Sequence, residues 1–237
     1  MSLPVAILAG GLATRLRPVT EKIPKSLIEV AGRPFIDHQL ELLARHGYRE
    51  VVLCVGFLGD QIERHVGDGA SRGVRIRYST DGKRLLGTGG ALRRALPFLG
   101  EAFFVLNGDS YLPCDYKAIE AAFRASLFPA LMTVFRNEDR WDASNIEYAN
   151  GKVLVYDKKH RSPAMRYIDY GLTALRASLI ADRPADVSFD LADLLGPLAA
   201  AGRVAGVEVG ERFYEVGSPG GLAETDAYLR ARPGALR

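Results

Sequence analysis

The residues best suited to chemistry lie in one stretch, Leu8-Ala-Gly-Gly-Leu-Ala-Thr-Arg-Leu-Arg-Pro-Val-Thr-Glu-Lys-Ile-Pro-Lys25. It follows the apolar run Val5 to Ala9, so Gly10 and Gly11 fall where a buried strand ends. Glycines let a polyanion approach the main chain, and the exposed N–H groups of such a turn form an anion-binding concavity. Arg15 offers a planar fork to phosphate oxygens, and Lys25 a compact point charge. The set therefore suits a polyphosphate, although Gly10-Gly11 alone also reads as a plain turn beside surface cations. No Gly-Lys-Ser or Gly-Lys-Thr follows, so the stretch is not a P-loop. The glycines are not spaced as G-x-G-x-x-G, and no acid ends a second strand about 20 residues on, so a dinucleotide fingerprint fits poorly.

These groups need a rigid edge to hold them, and the hydrophobic pattern supplies one. Val5 to Ala9 predicts a strand buried on both faces. Pro34 opens a helix that Gly47 stops, Glu50 to Val55 is the next strand, and residues 58–66 are helical up to Gly67-Asp-Gly69. Val74 to Tyr78 alternates like a strand with one wet face, Thr88 to Leu96 is a helix with Pro97 near its end, and Ala102 to Leu106 is a further apolar strand. This alternation predicts a parallel sheet with helices on both faces. Later come a helix over 115–125 and strands near 130–136, 144–148, 152–157 and 167–175, more antiparallel in character, with Asn150-Gly151 as a hairpin turn. A helix near 190–200, strands at 204–208 and 212–216, and a helix from 219 complete the chain. The expected class is α/β: a Rossmann-like mixed sheet with a parallel N-terminal half and a small antiparallel insertion over the carboxyl edge, where such sheets bind ligands.

Composition narrows the partners. Of 237 residues, 48% are hydrophobic and 25% charged, as in a globular chain and not a disordered one. A net charge of +3 is too small to argue for nucleic acid or membrane partners. Its distribution is uneven, +6 over residues 1–94 and −3 over the rest. No apolar segment reaches the roughly 20 residues of a spanning helix, and the start lacks a basic leader, so a cytoplasmic location is expected. Cys54 and Cys114 show no CxxC spacing and read as free thiols in a reducing compartment.

Residues 10–34 resemble the signature of the sugar-1-phosphate nucleotidylyltransferases, G-G-x-G-T-R-L-x-P-x-T-x-x-x-P-K, then four residues and V-x-G-[KR]-P. The matching positions are Gly10, Gly11, Thr14, Arg15, Leu16, Pro18, Thr20, Pro24 and Lys25, then Val30, Gly32, Arg33 and Pro34. Ala13 replaces the third glycine. If that position requires φ > 0, alanine strains it by roughly 1 kcal/mol. The resemblance extends more loosely along the chain. Leu86-Gly-Thr-Gly-Gly-Ala91 looks like a second nucleotide-binding loop, Leu106-Asn-Gly-Asp109 like a metal-binding strand end, and Tyr156-Asp-Lys158 like a pair that holds the sugar phosphate. Gly171 matches a glycine beside the sugar, and Phe213-Tyr-Glu-Val-Gly-Ser-Pro219 the run that carries a second metal carboxylate.

The resemblance implies one nucleotidyltransferase domain over 1–237, with a nucleotide-binding half (1–114) and a sugar- and metal-binding half (115–237). It implies attack by a sugar 1-phosphate on the α-phosphorus of a nucleoside triphosphate, with Arg15 and Lys25 catalytic. Leu8, Ala9, Gly10, Gly11, Thr14, Asp81, Gly87, Thr88 and Asn107 would bind the nucleotide. Asn145, Asp157, Lys158 and Gly171 would bind the sugar phosphate, and Asp109 and Glu215 would hold Mg²⁺. Each has a plainer reading: Asp109 as a turn residue, Glu215 as a surface acid, Asp157 and Lys158 as a solvated turn, Asn145 as a strand-edge residue. For the base, Asp81 could accept from N1–H and N2–H₂ of guanine, or simply belong to a turn with Gly82. The heptose-type Tyr-Glu-x-Gly-Ser run tilts the reading to GTP with a heptose or hexose 1-phosphate. UTP, CTP or dTTP use (as in an N-acetylmuramate 1-phosphate uridylyltransferase-like enzyme) and a non-catalytic NDP-sugar-binding member are the alternatives. The chain would act as a monomer or homodimer.

Overall fold

Val5–Leu8 forms β1, and the following glycines end it. The structure, a computed structural model, describes residues 2–12, 16, 18–82 and 84–232. A tight turn at Ala31 and Gly32, with φ of 49° and 80°, folds β2 (Glu29–Val30) onto β3 (Arg33–Pro34). The Asp226 carboxylate accepts the Ala31 N–H at 2.7 Å and so secures a conformation that alanine resists. Then follow α1 (Phe35–Arg45), β4 (Glu50–Val55), α2 (Gly59–Val66), β5 (Arg75–Thr80), α3 (Gly87–Leu99), β6 (Ala102–Asn107) and β7 (Ser110–Tyr111). Asp115 caps α4 (Tyr116–Ala125) by accepting the N–H groups of Lys117 and Ala118. β8 (Ala130–Arg136), β9 (Ile146–Ala149), β10 (Lys152–Tyr156), β11 (Tyr167–Arg176), α5 (Ala192–Ala200), β12 (Val204–Glu208), β13 (Tyr214–Glu215) and α6 (Pro219–Arg230) complete the order.

Nine strands form one mixed sheet in the order β5-β4-β1-β6-β11-β8-β12-β10-β9. β5, β4, β1 and β6 are parallel, as the alternation predicts. β11 runs antiparallel to both β6 and β8. The later strands thus continue the same sheet and do not stack over it as a separate cover. Asn150 and Gly151, at φ of 51° and 73°, make the expected hairpin turn between β9 and β10.

Alternate side chains of the central strands feed two cores. Val5, Ile7, Leu53 and Val55 pack with residues of α1, α2 and α4 on one face. Ala6, Val52 and Cys54 pack with α3 and α5 on the other. Covering both faces explains why these strands are continuous apolar runs. The chain runs from β1 outward to β4 and β5, then returns to the other side of β1 as β6. The carboxyl ends of β1 and β6 therefore border a topological switch point, where a crevice opens. Among the described residues no helix is long and apolar enough to cross a membrane.

Candidate active site

The crevice at that switch point is a cleft of about 310 Å³. Leu8, Ala9, Gly10 and Gly11 line it from the end of β1, and Asn107, Gly108 and Asp109 from the end of β6. The two strand ends touch through their backbones: a Cβ on Gly108 would lie 2.4 Å from the Leu8 carbonyl oxygen. Among the described residues a Cβ at Gly11 would meet nothing within 4 Å. Thr14 and Arg15, like Ala13, lie outside the described residues.

Lys25 starts a short 3-10 turn (Lys25–Leu27) after Pro24. Its ammonium reaches across the cleft to the Asp109 carboxylate at 2.7 Å, so two residues 84 positions apart meet. The Ser110 hydroxyl donates to the other Asp109 oxygen at 3.2 Å. Behind this loop stands Gln39 of α1, 1% exposed. Its amide nitrogen donates to the carbonyls of Asn107 (3.0 Å) and Ser110 (2.7 Å) and clamps the loop that carries Asp109. Sequence reasoning passed over Gln39, yet it left a signal: a polar residue on the helix face that Phe35, Ile36, Leu40 and Leu43 bury.

Asp81 extends the β5 ladder, its N–H donating to Val55 at 2.9 Å. It is 7% exposed, lines the cleft, and accepts the Leu86 N–H at 3.1 Å. Burial raises its pKa above the ordinary carboxylate value; the Leu86 N–H and Arg94 oppose that rise only in part. Gly87 and Thr88 line the cleft too. The rest of the glycine run faces elsewhere. A Cβ on Gly89 would lie 2.1 Å from the Phe189 ring, and the Phe189 carbonyl accepts the N–H groups of Gly89 and Gly90. The N-terminus of α3 is thus capped by a distant backbone carbonyl. Thr88 ties the same segment, donating to Asp190 at 2.9 Å and accepting the Leu191 N–H at 2.7 Å.

A second, tighter cavity of about 30 Å³ shares Leu8, Thr88 and Asn107 with the cleft. Lys158 and Gly171 line it, as do Tyr156, Asp169 and Asp190, which sequence reasoning did not select. The Asp169 carboxylate accepts the Tyr156 hydroxyl at 2.8 Å and the Gly171 N–H at 3.0 Å. Asn145 and Asp157 line neither cavity. Asn145 accepts the Asp169 N–H at 3.0 Å and so orients Asp169. Asp157 accepts the N–H groups of Lys159 and His160, bonds that hold its carboxyl below the usual range and fix the turn bearing Lys158.

Glu215 also lies outside both cavity linings. Its backbone is nonetheless beside the cleft: β13 pairs with β7, Glu215 stands opposite Ser110, and the Val216 N–H donates to the Asp109 carbonyl at 2.9 Å. Two carboxylate residues thus occupy neighbouring backbone positions. Among the described residues no three ligating side chains converge. Such a pair of hard oxygen donors fits Mg²⁺, which takes one or two carboxylates and completes its shell with phosphate oxygens and water. Both cysteines are free and buried, with burial pushing each thiol up to about 12.

Residues 5–144 match the nucleotidyl transferase family. An N-acetylmuramate alpha-1-phosphate uridylyltransferase of Caulobacter vibrioides is 33% identical over 234 residues, 94% of this chain and 95% of the relative. The enzyme of that name from Neisseria meningitidis is 43% identical over 113 residues, 47% of this chain, and there the chain spans about half (49%) of the relative's length. A D-glycero-alpha-D-manno-heptose 1-phosphate guanylyltransferase of Campylobacter jejuni is 28% identical over 80% of this chain and 83% of its own. Among solved structures, HddC from Yersinia pseudotuberculosis complexed with GMP-PN superposes with a TM-score of 0.81 at 25% identity, over 96% of this chain and 99% of that one.

Proposed function

The chain belongs to the nucleotidyl transferase family, and from that premise we propose that it transfers a nucleoside monophosphate from a nucleoside triphosphate to a sugar 1-phosphate, releasing pyrophosphate, with GTP and a heptose or hexose 1-phosphate as the preferred pair. The observation that carries the base preference is Asp81, a buried carboxylate in the cleft wall. An ionised carboxylate only accepts hydrogen bonds. Guanine offers N1–H and N2–H₂ side by side, whereas uracil offers one N–H between two carbonyls that a carboxylate repels. Two such donors would also offset the burial that raises the Asp81 pKa. The likeness to a structure bound to GMP-PN agrees with this choice. The likeness to uridylyltransferases supports UTP as the second reading.

Transfer of this kind demands alignment and charge neutralisation more than covalent help. The glycine backbone at Gly10 and Gly11 would receive the triphosphate, Arg15 the departing pyrophosphate, and Lys25 the attacking or α-phosphate. Asp109 and Glu215 would hold Mg²⁺, which when bound neutralises phosphate charge and orients the attack. The Lys25 ammonium, now on Asp109, would exchange that partner for a phosphate oxygen as the substrates enter. Lys158 would meet the sugar phosphate, with Asp157 holding its turn. Gly171 would lie against the sugar, and Asn145 would act through Asp169.

Pyrophosphate release from five nucleoside triphosphates against hexose and heptose 1-phosphates tests the reading. The highest kcat/KM is expected with GTP. A maximum with UTP would overturn the base assignment. Tight NDP-sugar binding without release from any pair would overturn the activity.

A further inference from the structure

We propose that the sugar site selects neutral, polyhydroxylated sugar 1-phosphates and rejects sugars that carry a carboxylate of their own. The inference rests on the sugar 1-phosphate reading above and is independent of the base. Among the described residues lining the tight cavity, Lys158 is the one cation, and Asp169 and Asp190 are its carboxylates. The 1-phosphate of the substrate claims the cation. A second acid on the ring would then face two carboxylates with no compensating charge.

Both carboxylates are fixed acceptors. Asp169 is held by the Tyr156 hydroxyl and the Gly171 N–H, and its own N–H is held by Asn145. Asp190 is held by the Thr88 hydroxyl and the Ala192 N–H at 2.9 Å each. Groups tied down in this way do not swing aside, so what they reward is a ligand that brings O–H donors. The site would therefore discriminate against the N-acetylmuramate that names two of the relatives, even though the chains share a fold.

Matched pairs test this directly. Glucose 1-phosphate against glucuronate 1-phosphate changes only the C6 group, from a hydroxymethyl donor to a carboxylate. N-acetylglucosamine 1-phosphate against N-acetylmuramate 1-phosphate adds only the lactyl acid. With the best nucleotide, the neutral member of each pair should be favoured by about tenfold or more in kcat/KM, the effect of a like charge in a partly solvated pocket. Asp169→Asn and Asp190→Asn should each narrow the ratio within the glucose pair; a purely structural role would lower both members together and leave the ratio unchanged. An acid used as well as its neutral partner, or a ratio that neither variant moves, would overturn the proposal. If no pair turns over, the sugar 1-phosphate reading itself has failed as catalysis. Competition between the paired sugars for the protein, followed by ligand-observed NMR with a non-hydrolysable GTP analogue present, then still decides this question: equal occupancy by the acid refutes the selection.

Discussion

Replacing Gln39 with methionine separates the clamp on the Asp109 loop from everything else Gln39 does. The two side chains are close in length, and among the described residues the Gln39 Oε1 is buried without a partner, so removing it costs no hydrogen bond there. What is lost is the pair of bonds to the Asn107 and Ser110 carbonyls at 3.0 and 2.7 Å. Each buried acceptor left without its donor costs about 1–3 kcal/mol, and relaxation recovers part of it, so a loss of about 2–4 kcal/mol is expected. At about 2–4 °C per kcal/mol for a chain of this size, Tm should fall by roughly 5–15 °C. The functional consequence is specific. Asp109 sits between the two clamped residues, so the Mg²⁺ concentration for half-maximal rate should rise and kcat fall. KM for the sugar phosphate should change little, because Gln39 lines neither cavity. Denaturant unfolding and a Mg²⁺ titration at saturating substrates measure both effects. A Gln39→Met protein with wild-type unfolding and a wild-type Mg²⁺ midpoint would show that the loop holds its shape without the clamp, and the positioning argument would fail.

Lys25→Met should reduce kcat by a factor of roughly hundreds, the usual cost of losing one preorganised charge at a transferring phosphate; single-turnover rates near wild type would remove Lys25 from the chemistry. Asp81→Asn should reduce the preference for GTP and alter stability with a predictable sign. Asp81 has a folded pKa above its ordinary 3.8, so its contribution is full below that value and is lost as pH rises through the folded pKa. The variant should therefore gain on wild type across that window and keep the advantage at neutral pH, as urea midpoints from pH 3.5 to 8 would reveal; a constant difference across the series would contradict the burial argument. Gly89→Ala puts a methyl about 2.1 Å from the Phe189 ring. It should cost about 1–3 kcal/mol by overpacking and raise KM for both substrates through Thr88, and an unperturbed variant would mean that the 187–191 segment is not held there.

The fold was legible because each central strand is apolar on both faces and each helix alternates with it. Val5–Leu8, Glu50–Val55 and Ala102–Asn107 stand out without tertiary information. Of the two-residue strands, β13 falls within the strand expected at 212–216, but β2, β3 and β7 were not legible, since they depend on partners and not on their own pattern. Of the residues singled out from the sequence, those that follow a strand end, Gly10, Gly11, Asn107 and Asp109, all line the cleft. Reading failed where function depends on a distant packing partner. Gly89 and Gly90 look like ligand-facing glycines, but Gly89 makes room for the Phe189 ring, 100 positions away and without a local mark, and Gly90 for the Val187 carbonyl. At Asn145 and Asp157 the sequence could not show what the structure does: the Asn145 Oδ1 accepts the Asp169 N–H, and the Asp157 carboxylate holds a turn.

The way the two cavities join constrains the chemistry more than either does alone. They share Leu8, Thr88 and Asn107, so a nucleotide in one and a sugar phosphate in the other would meet at these residues. In-line attack requires the reacting phosphorus to lie on the line between attacking and leaving oxygens. If, as proposed, the sugar phosphate entered from Lys158 and pyrophosphate left past Gly10 and Gly11, that line would cross the junction. Asp109 follows Asn107 by two residues and already holds Lys25, which places one carboxylate and one ammonium next to the crossing point. Thr88 then has two duties that cannot be separated. Its hydroxyl fixes Asp190 in the tighter cavity, while the residue itself forms part of the cleft wall. On the proposed roles, a change in the 187–191 segment would be felt by both substrates, and this part of the chain would couple occupancy of one site to affinity at the other.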